Sequence, residues 1–179
     1  PKRHTYRTKT AGTNILVAPC LNLLSSTTPA WIQRNLSADT FEEGFVGRSL
    51  FIYAKEAKRI SRHFITPEER SLRVALAEQL YEISQLQGEM QLTQDAYDVY
   101  DKWYQKRKMP QDEVLTASGF WAREHVHVLK TAMILAISSG SFPIVGSSHM
   151  SAAIDALRDV AESMPLALRG AEADAEVRH

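Results

Sequence analysis

Apolar residues recur along this chain in two rhythms. Before residue 54 they come as short, nearly unbroken runs bounded by turn residues: Ile15-Leu16-Val17-Ala18-Pro19, Cys20-Leu21-Asn22-Leu23-Leu24 and Ser49-Leu50-Phe51-Ile52-Tyr53. Such runs suit strands covered on both faces, as in the middle of a parallel sheet. Beyond residue 65 the spacing widens to three and four, first at Leu72, Leu76, Leu80 and Ile83, then at Ala96, Tyr100, Trp103 and Tyr104. It continues through Phe120 to Ser138 and ends with Met150, Ile154, Leu157 and Val160. That period belongs to helices with one apolar face.

Turn and cap residues set the boundaries. Pro29 fits the first turn of a helix over Ala30 to Leu36 with Thr28 as its cap, and Asp39 to Glu43 reads as a further helical turn ending at Gly44. Thr66-Pro67-Glu68-Glu69 is a strong helix start, because threonine caps, proline suits the first helical position and carboxylates favour the positive end of the dipole. This helix runs to about Gln87, with Gly88 as its stop. Met90 to Leu92 forms a short extended piece. Thr93 caps a helix to about Lys108, which Pro110 breaks. Phe120 to Ser138 is the most apolar helix, stopped by Gly140. Phe142 to Val145 is a short strand or extended link, and Ser147 or Ser148 caps the last helix. The expected fold is mixed α/β and mostly helical: 1–54 an α/β portion with short parallel-type strands, 55–65 a basic connector, 66–165 a helical lid-like domain, 166–179 a flexible tail. Residues 1–14 read as a polar, basic loop.

Charge sharpens this division. The 179 residues carry 21 basic and 21 acidic groups, yet residues 1–38 hold Lys2, Arg3, Arg7, Lys9 and Arg34 with no acid. The start of the chain therefore suits an anionic partner, and Lys2, Arg3, Arg7 and Lys9 are candidate DNA contacts. A polar terminus with no partner has the same composition. The single cysteine, Cys20, excludes an internal disulfide and a cysteine-rich metal site, and fits a reducing, cytoplasmic compartment. The longest apolar run, Ala132 to Ile137, is far short of the roughly 20 residues that a bilayer requires, so no membrane partner is expected. Because the chain begins at Pro1 without an initiator Met, an excerpt of a longer protein is expected.

Three groups carry candidate chemistry. Ser25, Ser26, Thr27 and Thr28 end an apolar run, where hydroxyls beyond a parallel strand face a ligand cleft and sense phosphate. The same residues also make an ordinary strand-to-helix turn. Arg48 lies between Gly47 and an apolar run. A guanidinium at such an edge can neutralise a leaving γ-phosphoryl group, or can pair at the surface with Glu42 or Glu43. Arg123, His127 and Lys130 share a helix face by their spacing, a cationic stripe that reaches phosphate from a lid, with Arg123 as the candidate contact. His125 and His127 point about 200° apart on a helix, which is not a zinc pair, and both suit the solvent-facing start of a buried helix. The glycines supply no Gly-x-x-x-x-Gly-Lys-[Ser/Thr], so nothing here cradles phosphates or holds magnesium beside them.

Two motifs in order, Asn22-Leu23-Leu24-Ser25-Ser26-Thr27-Thr28-Pro29 and Gly44-Phe45-Val46-Gly47-Arg48-Ser49-Leu50-Phe51, are followed by Arg123 to Ala132 and Ile144 to Ala153. In this order the chain resembles the C-terminal region of replicative helicase and primase-helicase ATPases of phages, plasmids and other mobile elements. The resemblance implies the end of a P-loop ATPase core with a helical lid, taken from a ring-forming, ATP-hydrolysing DNA motor. It assigns Arg48 as an arginine finger, Ser26, Thr27 and Thr28 as the phosphate sensor, and Arg123 as a lid contact. ATP and Mg2+ would be bound mainly outside this chain, by its own N-terminal ATPase half. The alternative from another class is a non-catalytic helical adaptor that binds DNA or a partner.

Overall fold

The computed structural model describes residues 3–8, 12–17, 21–35, 44–54 and 65–169. Its elements, in chain order, are β1 (Arg3–Thr8), β2 (Gly12–Val17), α1 (Pro29–Asn35), a 3-10 turn (Val46–Arg48), α2 (Pro67–Ser84) and β3 (Gln91–Leu92). They continue with α3 (Gln94–Lys106), α4 (Glu113–Ala117), α5 (Phe120–Ser138), β4 (Ile144–Val145) and α6 (Ser147–Arg169). The chain is thus mixed α/β and mostly helical.

Helix α6 is the axis of the core. It packs on α5, α3, α1 and α4. Its buried Met150, Ala153, Leu157, Val160 and Met164 step at helical intervals along the side facing those helices. They meet Val128, Ala132 and Ala136 of α5, Ala96 of α3 and Leu115 of α4 in one buried cluster. Ile32 of α1 and Val46 of the 3-10 turn enter the same cluster, so residues from both sides of the basic connector share this core. The expected extended pieces at Met90 to Leu92 and Phe142 to Val145 pair as the parallel strands β3 and β4, with Gln91 opposite Ile144 and Leu92 opposite Val145.

The caps largely follow the sequence. Thr28 Oγ1 accepts from the Trp31 N–H at 3.3 Å at the head of α1. Thr66 and Glu69 form a reciprocal capping box, with the Thr66 N–H donating to Glu69 Oε2 at 2.9 Å and the Glu69 N–H to Thr66 Oγ1 at 3.2 Å. Thr93 Oγ1 accepts from the Ala96 N–H at 3.4 Å. Helix α6 differs: Ser147 is already helical, and it is His149 Nδ1 that accepts the Gly146 N–H, at 3.1 Å.

The apolar runs of the first 54 residues behave differently from expectation. Residues 3–8, read as loop, form β1, which pairs antiparallel with β2 in a register from Arg3 opposite Val17 to Thr8 opposite Gly12. Only three residues separate the two strands in sequence, a connection suited to antiparallel pairing and too short for a parallel crossover. Ile15, Leu16 and Val17 are exposed on this ribbon, as are Leu21, Leu23 and Leu24 in the irregular stretch that follows. Leu50 to Tyr53 forms no strand, and Phe51 packs against the helical core instead. A run of apolar residues becomes a central strand only when neighbours flank it on both edges, and among the described residues β2 has a strand on one edge alone. The stripe Leu72, Leu76 and Leu80 on α2 is likewise exposed. The short helix expected over 39–43, and residues 55–64 of the connector, lie outside the described residues.

Candidate functional site

The candidate site is built where the Gly44–Ser49 turn meets the start of α5. Gly44 has φ +74°, and the Arg48 N–H donates back to the Phe45 carbonyl at 3.0 Å, so the chain reverses tightly before the arginine. Val46 is completely buried in the helical core and anchors the turn hydrophobically. Gly47 allows the backbone to approach the α4–α5 junction, since a Cβ there would lie 2.9 Å from the Gly119 carbonyl oxygen and 3.0 Å from that of Ser118. A third tie is polar. His127 Nε2 sits 3.0 Å from the Gly47 carbonyl oxygen and serves as its donor.

His127 is 7% exposed, with its ring stacked on the fully buried Phe120 at a centroid distance of 5.8 Å and an interplanar angle of 13°. This overturns the expectation of a solvent-facing histidine. Burial holds its pKa below 6.5; the bond to the Gly47 carbonyl opposes that shift, while Lys130 and Arg123 add to it. Position 127 therefore carries a neutral ring at neutral pH, and the Nε2–H tautomer supplies the proton to Gly47. Sequence spacing placed His127 with Arg123 and Lys130 on one face but did not show that this face receives the arginine turn. The only local signal was the pair of glycines at 44 and 47 beside an apolar valine.

The peptide held by His127 leads directly into Arg48. The guanidinium is exposed, and its Nη1 donates to the Gly44 carbonyl at 2.7 Å, folding the side chain over its own turn. Arg123 and Lys130 are also exposed, on the α5 face that His127 shares. Arg123 and Lys130 lie close enough to His127 to act on its charge, and the turn that carries Arg48 is bonded to the same histidine.

The remaining expected residues lie elsewhere. Ser26, Thr27 and Thr28 are exposed in an irregular stretch before α1, and Thr28 Oγ1 already caps that helix. Arg3 and Arg7 are exposed on β1, four residues apart and therefore on the same side of the ribbon. Lys2 and Lys9 lie outside the described residues.

Two other clusters resemble sites but are structurally committed. His149 Nε2 lies 3.0 Å from Ser139 Oγ, which suggests a hydroxyl beside a base. Because Nδ1 accepts from the Gly146 N–H, Nε2 carries the proton and cannot take one from the serine. Arg107 lies against three rings, 5.2 Å from Trp103, 5.5 Å from Tyr104 and 4.9 Å from Trp121, and bonds Glu124 at 3.0 Å and the Trp121 carbonyl. This cage is filled from within and ties the end of α3 to α5. Among the described residues no group of three or more His, Cys, Asp or Glu could hold a metal ion, and no helix is long and apolar enough to cross a membrane.

Comparison of the chain with protein-family models, curated proteins and solved structures found no match.

Proposed function

We propose that this chain is the C-terminal part of an ATP-dependent replication helicase of the phage and mobile-element kind, supplying an arginine finger to a nucleotide held mainly by residues outside it. The observation that carries the reading is the exposed Arg48 on a turn clamped to the helical body, with Arg123 and Lys130 on the adjoining face. A planar guanidinium on a fixed backbone is suited to meet charge that develops on a transferring phosphoryl group, because little rotational freedom is lost at that moment.

The residues present fit the phosphates of ATP but not its metal. Arg48, Arg123 and Lys130 would contact phosphate oxygens. Among the described residues no group of three or more His, Cys, Asp or Glu suits Mg2+; in this reading the nucleotide-binding half would hold the ion. ATP supplies the phosphoryl group, and this chain's part is to position positive charge. Arg3 and Arg7 on the β1–β2 ribbon would track a nucleic-acid backbone, giving salt-dependent affinity. The apolar faces left open on β2, on residues 21–24 and on α2 support a chain that packs against further protein, since surfaces of this kind mark interaction sites. In this reading the partners are its own ATPase half and neighbouring copies in a ring.

The test uses the protein that carries this chain together with its nucleotide-binding half. Arg48→Ala should lower DNA-stimulated kcat on the order of 10³-fold while KM for ATP changes little, and Arg48→Lys should not restore it. Normal turnover in Arg48→Ala would end the finger assignment. The adaptor alternative is favoured by the same open faces, and predicts DNA affinity of the isolated chain that falls linearly with log salt without nucleotide.

A further inference from the structure

We propose that His127 is a positioning residue for Arg48, fixing the Gly47–Arg48 peptide to α5 so that the arginine is carried on a rigid base. This deepens the reading above and rests on it. The bond is made to the carbonyl of the peptide that Arg48 itself completes, at 3.0 Å, so it restrains the torsions on either side of that peptide. The turn's own hydrogen bonds, from the Arg48 N–H to the Phe45 carbonyl at 3.0 Å and from the Ser49 N–H to the Val46 carbonyl at 3.1 Å, hold its internal shape but not its attachment to the helix. Attachment comes from Val46 in the core, from the close backbone approach at Gly47 and from His127. Of these only His127 is directional, because a hydrogen bond fixes orientation whereas apolar burial does not. Stacking on Phe120 in turn restricts the ring, so the donor is aimed before any ligand arrives.

The experiment compares two variants of near-equal bulk. His127→Leu keeps the buried volume and deletes the donor, leaving the Gly47 carbonyl unpaired. His127→Gln carries an amide nitrogen the same number of bonds from Cα as Nε2 and keeps a donor. Hydrogen exchange on the whole chain reads the Arg48 and Ser49 amides, with residues 150–164 of α6 as the internal reference for global folding. His127→Leu should speed exchange of these two amides about 3- to 10-fold over the reference, the range given by loss of one ordinary hydrogen bond. His127→Gln should return them close to wild type. In the ATPase assembly described above, His127→Leu should lower kcat with KM little changed, His127→Gln should recover it, and His127→Leu combined with Arg48→Ala should be no slower than Arg48→Ala alone. Unchanged exchange in His127→Leu overturns the inference whatever the kinetics. Faster exchange with intact kcat, when Arg48→Ala is itself impaired, overturns it as well. If Arg48→Ala turns over normally, the function reading fails instead, and exchange alone then reports whether His127 holds the turn.

Discussion

Replacing Gly47 by alanine probes the contact on which the placement of Arg48 depends. The added carbon would lie 2.9 Å from the Gly119 carbonyl oxygen and 3.0 Å from both the Gly119 carbonyl carbon and the Ser118 carbonyl oxygen. All three atoms are backbone, so none can swing aside as a side-chain tip would. Forcing a methyl group into such a gap costs about 1–3 kcal/mol. Gly47 is not in the left-handed region, so alanine meets no torsional penalty there, and its lower freedom in the unfolded chain returns roughly 0.4–1 kcal/mol. The alternative to the clash is to lift the turn away. That exposes Val46, at about 1.5–3 kcal/mol, and breaks the His127 bond, at about 0.5–1.5 kcal/mol, so small shifts around the new methyl are the cheaper response. The expected net loss is about 1–2 kcal/mol. Urea unfolding followed by circular dichroism should show it as a lower midpoint with an unchanged slope, and hydrogen exchange should show faster opening at Arg48 and Ser49. An unfolding free energy unchanged to within about 0.5 kcal/mol, with wild-type exchange in the turn, would refute the close approach.

Three further outcomes test other joints. His127 titrates below its ordinary 6.5 in the folded chain because it is buried and faces Lys130 and Arg123, with the Gly47 carbonyl and Glu124 opposing. The unfolded chain therefore binds the extra proton first. The contribution of this group to stability should be fully present above that value and lost as pH falls through 6.5 toward the folded pKa, and His127→Gln should remove that part of the slope in a stability–pH titration. Thr66→Ala deletes one arm of the capping box and should weaken α2 by about 0.5–2 kcal/mol, seen as faster amide exchange in residues 68–72 while the α5–α6 core is unaffected. Arg107→Lys should destabilise the chain by about 1–3 kcal/mol in urea, because a single ammonium cannot contact three rings while reaching both Glu124 and the Trp121 carbonyl; an unchanged midpoint would count against the cage as a tie between α3 and α5.

Local signals were legible wherever the physics is local. Thr28, Thr66 and Thr93 each cap the helix expected of them, and α5 spans Phe120 to Ser138 as the apolar spacing indicated. The apolar runs before residue 54 misled, because the same valines, isoleucines and leucines suit a buried strand or an exposed ribbon, and only neighbours distinguish the two. The candidate site was half visible. Arg48 and the face of Arg123, His127 and Lys130 could be named from spacing, but the separation of 80 positions between Gly47 and His127 hides that they meet.

By itself the sequence determined the caps, the helical periods and the excess of positive charge at the start, since each depends on residues within a few positions of one another. Tertiary structure alone decided that β3 pairs in parallel with β4, that a histidine spaced like a surface group is buried, and that the arginine turn rides on α5. Those outcomes depend on which distant surfaces exclude water from each other, and contacts closed across long loops leave no periodic trace in the chain.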